Sequence, residues 1–237
     1  MTRLSRLTAV LLVACSSVAV VVGQGKRNVD PSSEASDSDN ATLLIYLTAL
    51  ANDGNGDASY QLGRMYLNGE GVSKDLAAGV RWYTKAAEHG TTIAQLQLAL
   101  MYYKGDGVTK DYRAAFSWYR AVAEQGYSIG QFQVGLMYLN GEGVPTDSSS
   151  AASWFRQAAE QDGNYADVAD AQNFLATMYY RGEGVPKDLV LAYMWWNLAA
   201  AKGDKDAQNR RDILEKQMTP AQIAEAQKLS REWRPKK

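Results

Sequence analysis

Apolar side chains between residues 58 and 90 recur at helical spacing along two successive stretches. Ala58, Leu62, Met65 and Tyr66 share one face of the first. Gly69 and Gly71 then interrupt the pattern, as residues that tolerate positive φ do at a helix end. Val72 follows as an apolar plug for the turn, and Asp75 stands where a side-chain oxygen caps the next helix. That second stretch carries Gly79, Trp82, Tyr83, Ala86 and Ala87, and Gly90 closes it. The pattern predicts an antiparallel helix pair joined by a glycine-rich turn.

The arrangement occurs four times. Met65-Tyr66, Met101-Tyr102, Met137-Tyr138 and Met178-Tyr179 each precede a Gly-acid-Gly-Val turn, ending at Val72, Val108, Val144 and Val185. An aspartate follows at 75, 111, 147 and 188, then an aromatic pair at Trp82-Tyr83, Trp118-Tyr119, Trp154-Phe155 and Trp195-Trp196. Small residues at Gly79, Ala115, Ala151 and Ala192 let neighbouring helices approach. The first three copies stand 36 residues apart and the fourth 41 after the third, yet the Met-to-Trp spacing is always 17. A fixed period of this size predicts an all-α protein, an α-solenoid of stacked antiparallel helix pairs. The repeats are set at 57–90, 91–126, 127–163 and 169–203.

The period extends beyond these copies. Asp39, Tyr46, Ala51 and Gly54 stand 36 residues before Asp75, Trp82, Ala87 and Gly90, which predicts a lone second-type helix over 39–54. Residues 204–233 read as two capping helices. The first carries Arg210, Arg211 and Asp212; the last opens on Thr219-Pro220-Ala221-Gln222, a capping box with proline at the first helical position. Ile223, Ala226, Leu229 and Trp233 lie on one face of it. The five extra residues before the fourth copy include Asp162-Gly163-Asn164-Tyr165, which predicts a lengthened inter-repeat loop.

These residues closely resemble the Sel-1-like repeat family, relatives of the tetratricopeptide repeat. The resemblance spans about residues 39 to 233, and the closing stretch Gln217–Ala226 is similar to that of bacterial members. Departures such as Ala99 and Ala176 for Gly63 and Gly135, or Phe155 and Trp196 for tyrosine, are small-for-small or aromatic exchanges. The resemblance implies a right-handed superhelix acting as an adaptor or scaffold, of a kind typical of cell-envelope maintenance, secretion, signalling or host interaction.

Charge and the N-terminal segment narrow the setting. Arg3 and Arg6 precede an apolar stretch, Leu7–Val22, that ends on small residues and reads as an export signal over 1–23. Three fates stay open: cleavage after Gly23, lipidation at Cys15, or retention as an anchor. Residues 24–38 are rich in Ser, Asp, Glu and Lys and predict a flexible polar linker. Cys15 is the only cysteine, so the exported part stands without disulfides. The formal net charge of −1 lacks the basic excess that nucleic acid requires. The expected setting is periplasmic or secreted, with membrane contact only through an N-terminal anchor.

No catalytic, metal or cofactor set emerges. His89 is the only histidine, at the repeat position of Gln125, and reads as solvated. The four Gly-x-Gly turns lack a following Gly-Lys-Ser/Thr, so they punctuate helices rather than cradle phosphates. Glu70, Asp106, Glu142 and Glu183 sit between those glycines, with Lys74, Lys110 and Lys187 four residues on in three copies, and read as a solvated charged edge. The Met-Tyr and Trp-Tyr pairs read as core.

Positions that differ between copies point to a partner. In the tetratricopeptide-like register the first helix of each pair lines the concave side. Its outward positions are Tyr60, Arg64, Leu67 and Asn68 in the first copy, and Leu96, Leu100, Tyr103 and Lys104 in the second. The third has Phe132, Leu136, Leu139 and Asn140, and the fourth Asn173, Thr177, Tyr180 and Arg181. The composition suits a groove for an apolar peptide or helix of a protein partner; the same side chains equally suit packing between first helices. Two other classes stay open. One is an envelope hydrolase of the cell-wall or β-lactam type, as linked to cysteine-rich relatives whose repeated cysteines are missing here. The other is a structural spacer.

Overall fold

The computed structural model describes residues 31–163 and 165–236, with side chains from residue 39 onward. The export signal and the first part of the linker lie outside the described residues. The chain divides into two units at residue 40; of the first, only Pro31–Asn40 is described. Among the described residues there are eleven helices and no strand. Helix α1 (Pro31–Asn52) precedes four hairpins: α2 (Gly56–Asn68) with α3 (Leu76–Glu88), α4 (Thr92–Lys104) with α5 (Tyr112–Glu124), α6 (Ser128–Asn140) with α7 (Ser148–Ala159), and α8 (Ala166–Arg181) with α9 (Leu189–Ala201). Helices α10 (Lys205–Glu215) and α11 (Pro220–Glu232) follow.

The same chemistry builds each hairpin. Gly69, Gly105, Gly141 and Gly182 end the first helices in the left-handed conformation, with φ between 71° and 84°. The amide of each aspartate returns to the tyrosine carbonyl of its own copy, as Asp75 N–H does to Tyr66 O at 2.9 Å and Asp188 N–H to Tyr179 O at 2.9 Å. The same aspartates cap the second helices. Asp75 accepts from Ala78 N–H at 2.9 Å, and Asp111 from Arg113 and Ala114 N–H at 2.8 and 3.1 Å. Asp188 likewise accepts from Val190 and Leu191 N–H. One carboxylate thus satisfies helix-end donors that would otherwise be orphaned.

The second glycine of the turn joins repeats rather than helices. A Cβ on Gly143 would lie 2.3 Å from the Tyr112 carbonyl oxygen, and one on Gly184 would lie 2.1 Å from that of Ser148. The third and fourth turns therefore rest their bare backbone on the start of the second helix in the preceding repeat. Within a hairpin, the small residue admits the aromatic one: a Cβ on Gly63 would meet the Tyr83 ring at 2.2 Å.

Apolar layers alternate along the stack. Leu44, Leu47, Leu50 and Ala51 of α1 pack with Ala58, Leu62 and Met65. Tyr83, Ala86 and Ala87 pack with Ala94 and Leu98 of the next hairpin. Phe116, Tyr119 and Ala123 pack with Val134 and Met137. The last and largest layer runs from Phe155 through Trp195 and Trp196 to Leu214 and Ala226. A fully buried Leu or Phe contributes about 1.5–3 kcal/mol, so the layers between hairpins carry much of the stability. The aromatic pairs divide their work. Tyr83, Tyr119, Phe155 and Trp196 are buried, whereas Trp82, Trp118 and Trp154 are only half-buried and reach back onto the previous layer.

Two boundaries differ from the sequence reading. Helix α1 starts at Pro31, so it takes in part of the expected linker 24–38 as well as the half-repeat 39–54. The five extra residues do not all lengthen a loop. Helix α8 has 16 residues where the other first helices have 13, so three of them, at 166–168, extend it, and Val168 is buried. Apolar residues at helical spacing carry the helix back past the expected start at 169. The remaining loop is tied down from both sides: Lys202 donates to the Gly163 carbonyl, and Lys236 pairs with Glu160 at 2.5 Å.

Two outcomes follow. Gly184→Ala adds a steric clash to the about 1–2 kcal/mol cost of a left-handed alanine, whereas Gly90→Ala, with nothing within 4 Å, carries the backbone cost alone; urea melts of both variants should show Gly184→Ala as clearly the less stable. Burial, aided by Tyr60 and Tyr103 respectively, pushes the Tyr83 and Tyr119 phenols up to about 12. Unfolded phenols ionise near pH 10 (about 10 in model peptides), so stability is complete below about pH 10 and falls as pH rises to about 12. Urea midpoints measured across that window should fall less steeply in the Tyr83→Phe, Tyr119→Phe double variant.

Candidate functional site

The outward positions expected on the first helices separate into two stripes. Tyr60 and Leu67, Leu96 and Tyr103, Phe132 and Leu139, and Asn173 and Tyr180 are spaced seven apart and turn toward neighbouring helices. The Tyr60 ring stacks 5.2 Å from Tyr83, and Leu67 lies against the position where Gly79 lacks a side chain. Leu96 and Tyr103 join the second-repeat layer, and the Tyr103 hydroxyl donates to Glu142 at 3.2 Å. Phe132 is a correction: it is 8% exposed, with its ring 5.7 Å from both Phe155 and Phe174, and belongs to the core. Leu139 packs on the last layer. Asn173 accepts from the Trp196 indole at 2.9 Å and donates to Asp204 at 2.8 Å, while Tyr180 lies 5.6 Å from Trp196. This stripe joins helix to helix.

The second stripe faces outward. Arg64, Leu100, Lys104 and Arg181 are exposed, with Asn68 and Asn140 beside them, and Leu136 and Thr177 are half-buried. Three exposed apolar residues that the repeat comparison did not select extend it. Ile93 and Ile129, seven residues before Leu100 and Leu136, are 47% and 41% exposed, and Phe174 is 38% exposed. Leu100 itself is 37% exposed. The signal was present in the sequence, as apolar residues seven apart in α4 and α6, but it was hidden behind the more strongly patterned core positions. On α5 and α7 the exposed side chains are instead polar: Arg113, Ser117, Arg120 and Glu124, then Ser149, Ser153 and Gln157.

Three carboxylates of the charged edge have partners, and these are not the lysines four residues on. Glu70 meets Arg64 at 3.8 Å and Asn68 at 2.7 Å, Glu183 meets Arg181 at 3.7 Å, and Glu142 accepts from Tyr103 and Asn140. Exposed pairs of this kind contribute about 0–1 kcal/mol each. Lys110 and Lys187 lie over the Tyr112 and Tyr180 rings instead. His89 is exposed. Among the described residues no three His, Cys, Asp or Glu side chains gather as a metal-binding group, and no helix is long and apolar enough to cross a membrane.

The buried glutamines also escaped the sequence reading. Gln95, Gln131 and Gln172 occupy one repeat position and donate to Ala87, Ala123 and Ala159 carbonyls at 3.1, 3.4 and 3.0 Å. Gln125 and Gln161 extend the chain by donating to Gln95 and Gln131. These bonds satisfy the carbonyl ends of second helices and tie each repeat to the next. At the far end of the outward stripe, α8, α9 and α10 enclose a cleft of about 250 Å³, lined by Thr177, Tyr180, Arg181, Trp196, Arg210, Ile213, Leu214 and Gln217.

Residues 56–91, 92–127, 128–163 and 169–204 each match the Sel1 repeat. The chain belongs to the Sel1 repeat family. A Sel1 repeat protein from Oxalobacter formigenes is 36% identical, with a TM-score of 0.61, over 72% of this chain and 48% of its own. A protective antigen of uropathogenic Escherichia coli with the same repeat fold is 29% identical, with a TM-score of 0.50, over 80% of this chain and 48% of its own. The chain thus spans about half the length of both. No curated protein is significantly similar to it. Sel1 repeat proteins in general mediate protein–protein interaction, and their scaffold is typically non-catalytic.

The two stripes make different demands on a variant. Phe132→Ala should cost about 3–5 kcal/mol, as truncation of a buried aromatic does, and Leu100→Asp should leave thermal unfolding followed by circular dichroism nearly unchanged.

Proposed function

We propose that this chain is a non-enzymatic adaptor of the bacterial cell envelope, binding a protein partner along the outward stripe of its first helices. One observation carries the reading: Ile93, Leu100, Ile129 and Phe174 are each more than a third exposed on successive first helices, while the outward side chains of α5 and α7 are polar. Clustered exposed apolar side chains mark interaction surfaces. Lys104 and Arg181 along one side of the stripe supply charged hydrogen-bond donors at its rim. A stable partner buries about 800 Å² per side, an area that needs several adjacent repeats rather than one. The envelope setting rests on the basic and apolar residues between Arg3 and Val22.

A photo-cross-linking residue placed at Leu100 or Ile129 in native envelopes should trap an adduct of defined mass. The same residue at Ser117 or Ser153, on the second helices, should not. Leu100→Asp should abolish the Ile129 adduct with helical circular dichroism intact. Adducts that form equally from both faces, or from neither, overturn the reading.

A further inference from the structure

We propose that the cleft between α8, α9 and α10 receives the C-terminal residue of the bound polypeptide, taking its apolar side chain and its α-carboxylate together; this rests on the reading of the first-helix stripe as the binding face. The floor is apolar and fixed. Trp196 and Leu214 are 3% and 1% exposed, and the bond from the Trp196 indole to Asn173 holds the ring in place. The mouth is cationic. Arg210 donates to the Thr177 hydroxyl at 3.1 Å, which sets its guanidinium at the opening, and Arg181 stands beside it. Arg181 also meets Glu183 at 3.7 Å, a carboxylate outside the cleft lining, whereas Arg210 has, among the described residues, only the Thr177 hydroxyl beside it.

Size and charge together select the occupant. The volume of about 250 Å³ falls below the ~300–1,000 Å³ of pockets that enclose whole small ligands, and suits one side chain. Guanidiniums match carboxylates in a bidentate geometry. A chain-terminal residue carries its side chain and carboxylate on one Cα, so both reach the same small cleft. An internal segment would have to bring them from two residues. The position fits as well. Thr177 and Arg181 continue the outward stripe, and α10 closes the row beyond them, so a chain lying on the stripe ends at the cleft.

The test uses the full chain with labelled methyl groups and the peptide N-acetyl-Ala-Ala-Ala-Phe, either as the free acid or as its C-terminal amide. The free acid should shift the Ile213 and Thr177 methyl resonances and bind about tenfold or more tightly than the amide. Arg210→Gln should remove most of that preference without altering circular dichroism. Equal affinity for acid and amide, or no shift with either, overturns the proposal. So does binding of 3-phenylpropionate as tightly as the peptide, which points to a free small acid. If the peptide fails while the Leu100 position still cross-links, only the terminal cleft is lost; if both fail, the binding face itself is wrong.

Discussion

A pair of short helices cannot bury both of its apolar faces within itself, and this protein depends on each hairpin being covered by the next. The contacts that achieve this are backbone-close. Gly143 and Gly184 lay bare main chain on the helix starts at Tyr112 and Ser148. Side chains then bind across the join: Trp118 touches the layers on both sides of it, and Gln95, Gln131 and Gln172 donate to carbonyls of the preceding second helix. Nearest-neighbour coupling of this kind makes stability a property of the stack.

The same geometry divides the surface. Each second helix turns its small residue and the second of its aromatic pair inward, and α5 and α7 leave a polar exterior. Each first helix is gripped along one stripe by its neighbours, which leaves the other stripe free to vary. Apolar residues at Ile93, Leu100 and Ile129 contribute little to the stack while they remain exposed, so their presence fits recognition better than folding, whereas Phe174 rests one face of its ring on Phe155 and shows only the remainder. The C-terminal helices add something the repeats lack. By packing α10 beside α8 and α9, the chain turns the flat end of the stripe into a cleft with arginines at its mouth.

Much of the fold was legible because one turn is written out four times. The glycines at positive φ, the capping aspartates and the capping box at Thr219 and Gln222 are local, and each depends only on residues within a few positions. The insertion before the fourth copy was harder to read. Turn residues at 162–165 pointed to a longer loop, and the connection is longer there, but burial of Val168 drew the rest of the insertion into α8, since tertiary packing overrides local preference where apolar side chains find cover.

The site was legible only in part. Comparison of the copies selected residues such as Leu100, Lys104 and Arg181 that face outward, and with them Phe132, Tyr60 and Tyr180, which pack inward. Residues i and i+7 differ little in sequence character whether they face a neighbouring helix or the solvent; the neighbour alone tells them apart. Local spacing along the chain therefore determined the hairpins, their turns and their order. Which stripe of each first helix stayed open, and how the last helices closed a cleft beside it, was decided only in three dimensions, because that outcome depends on contacts between residues about 30 or more apart.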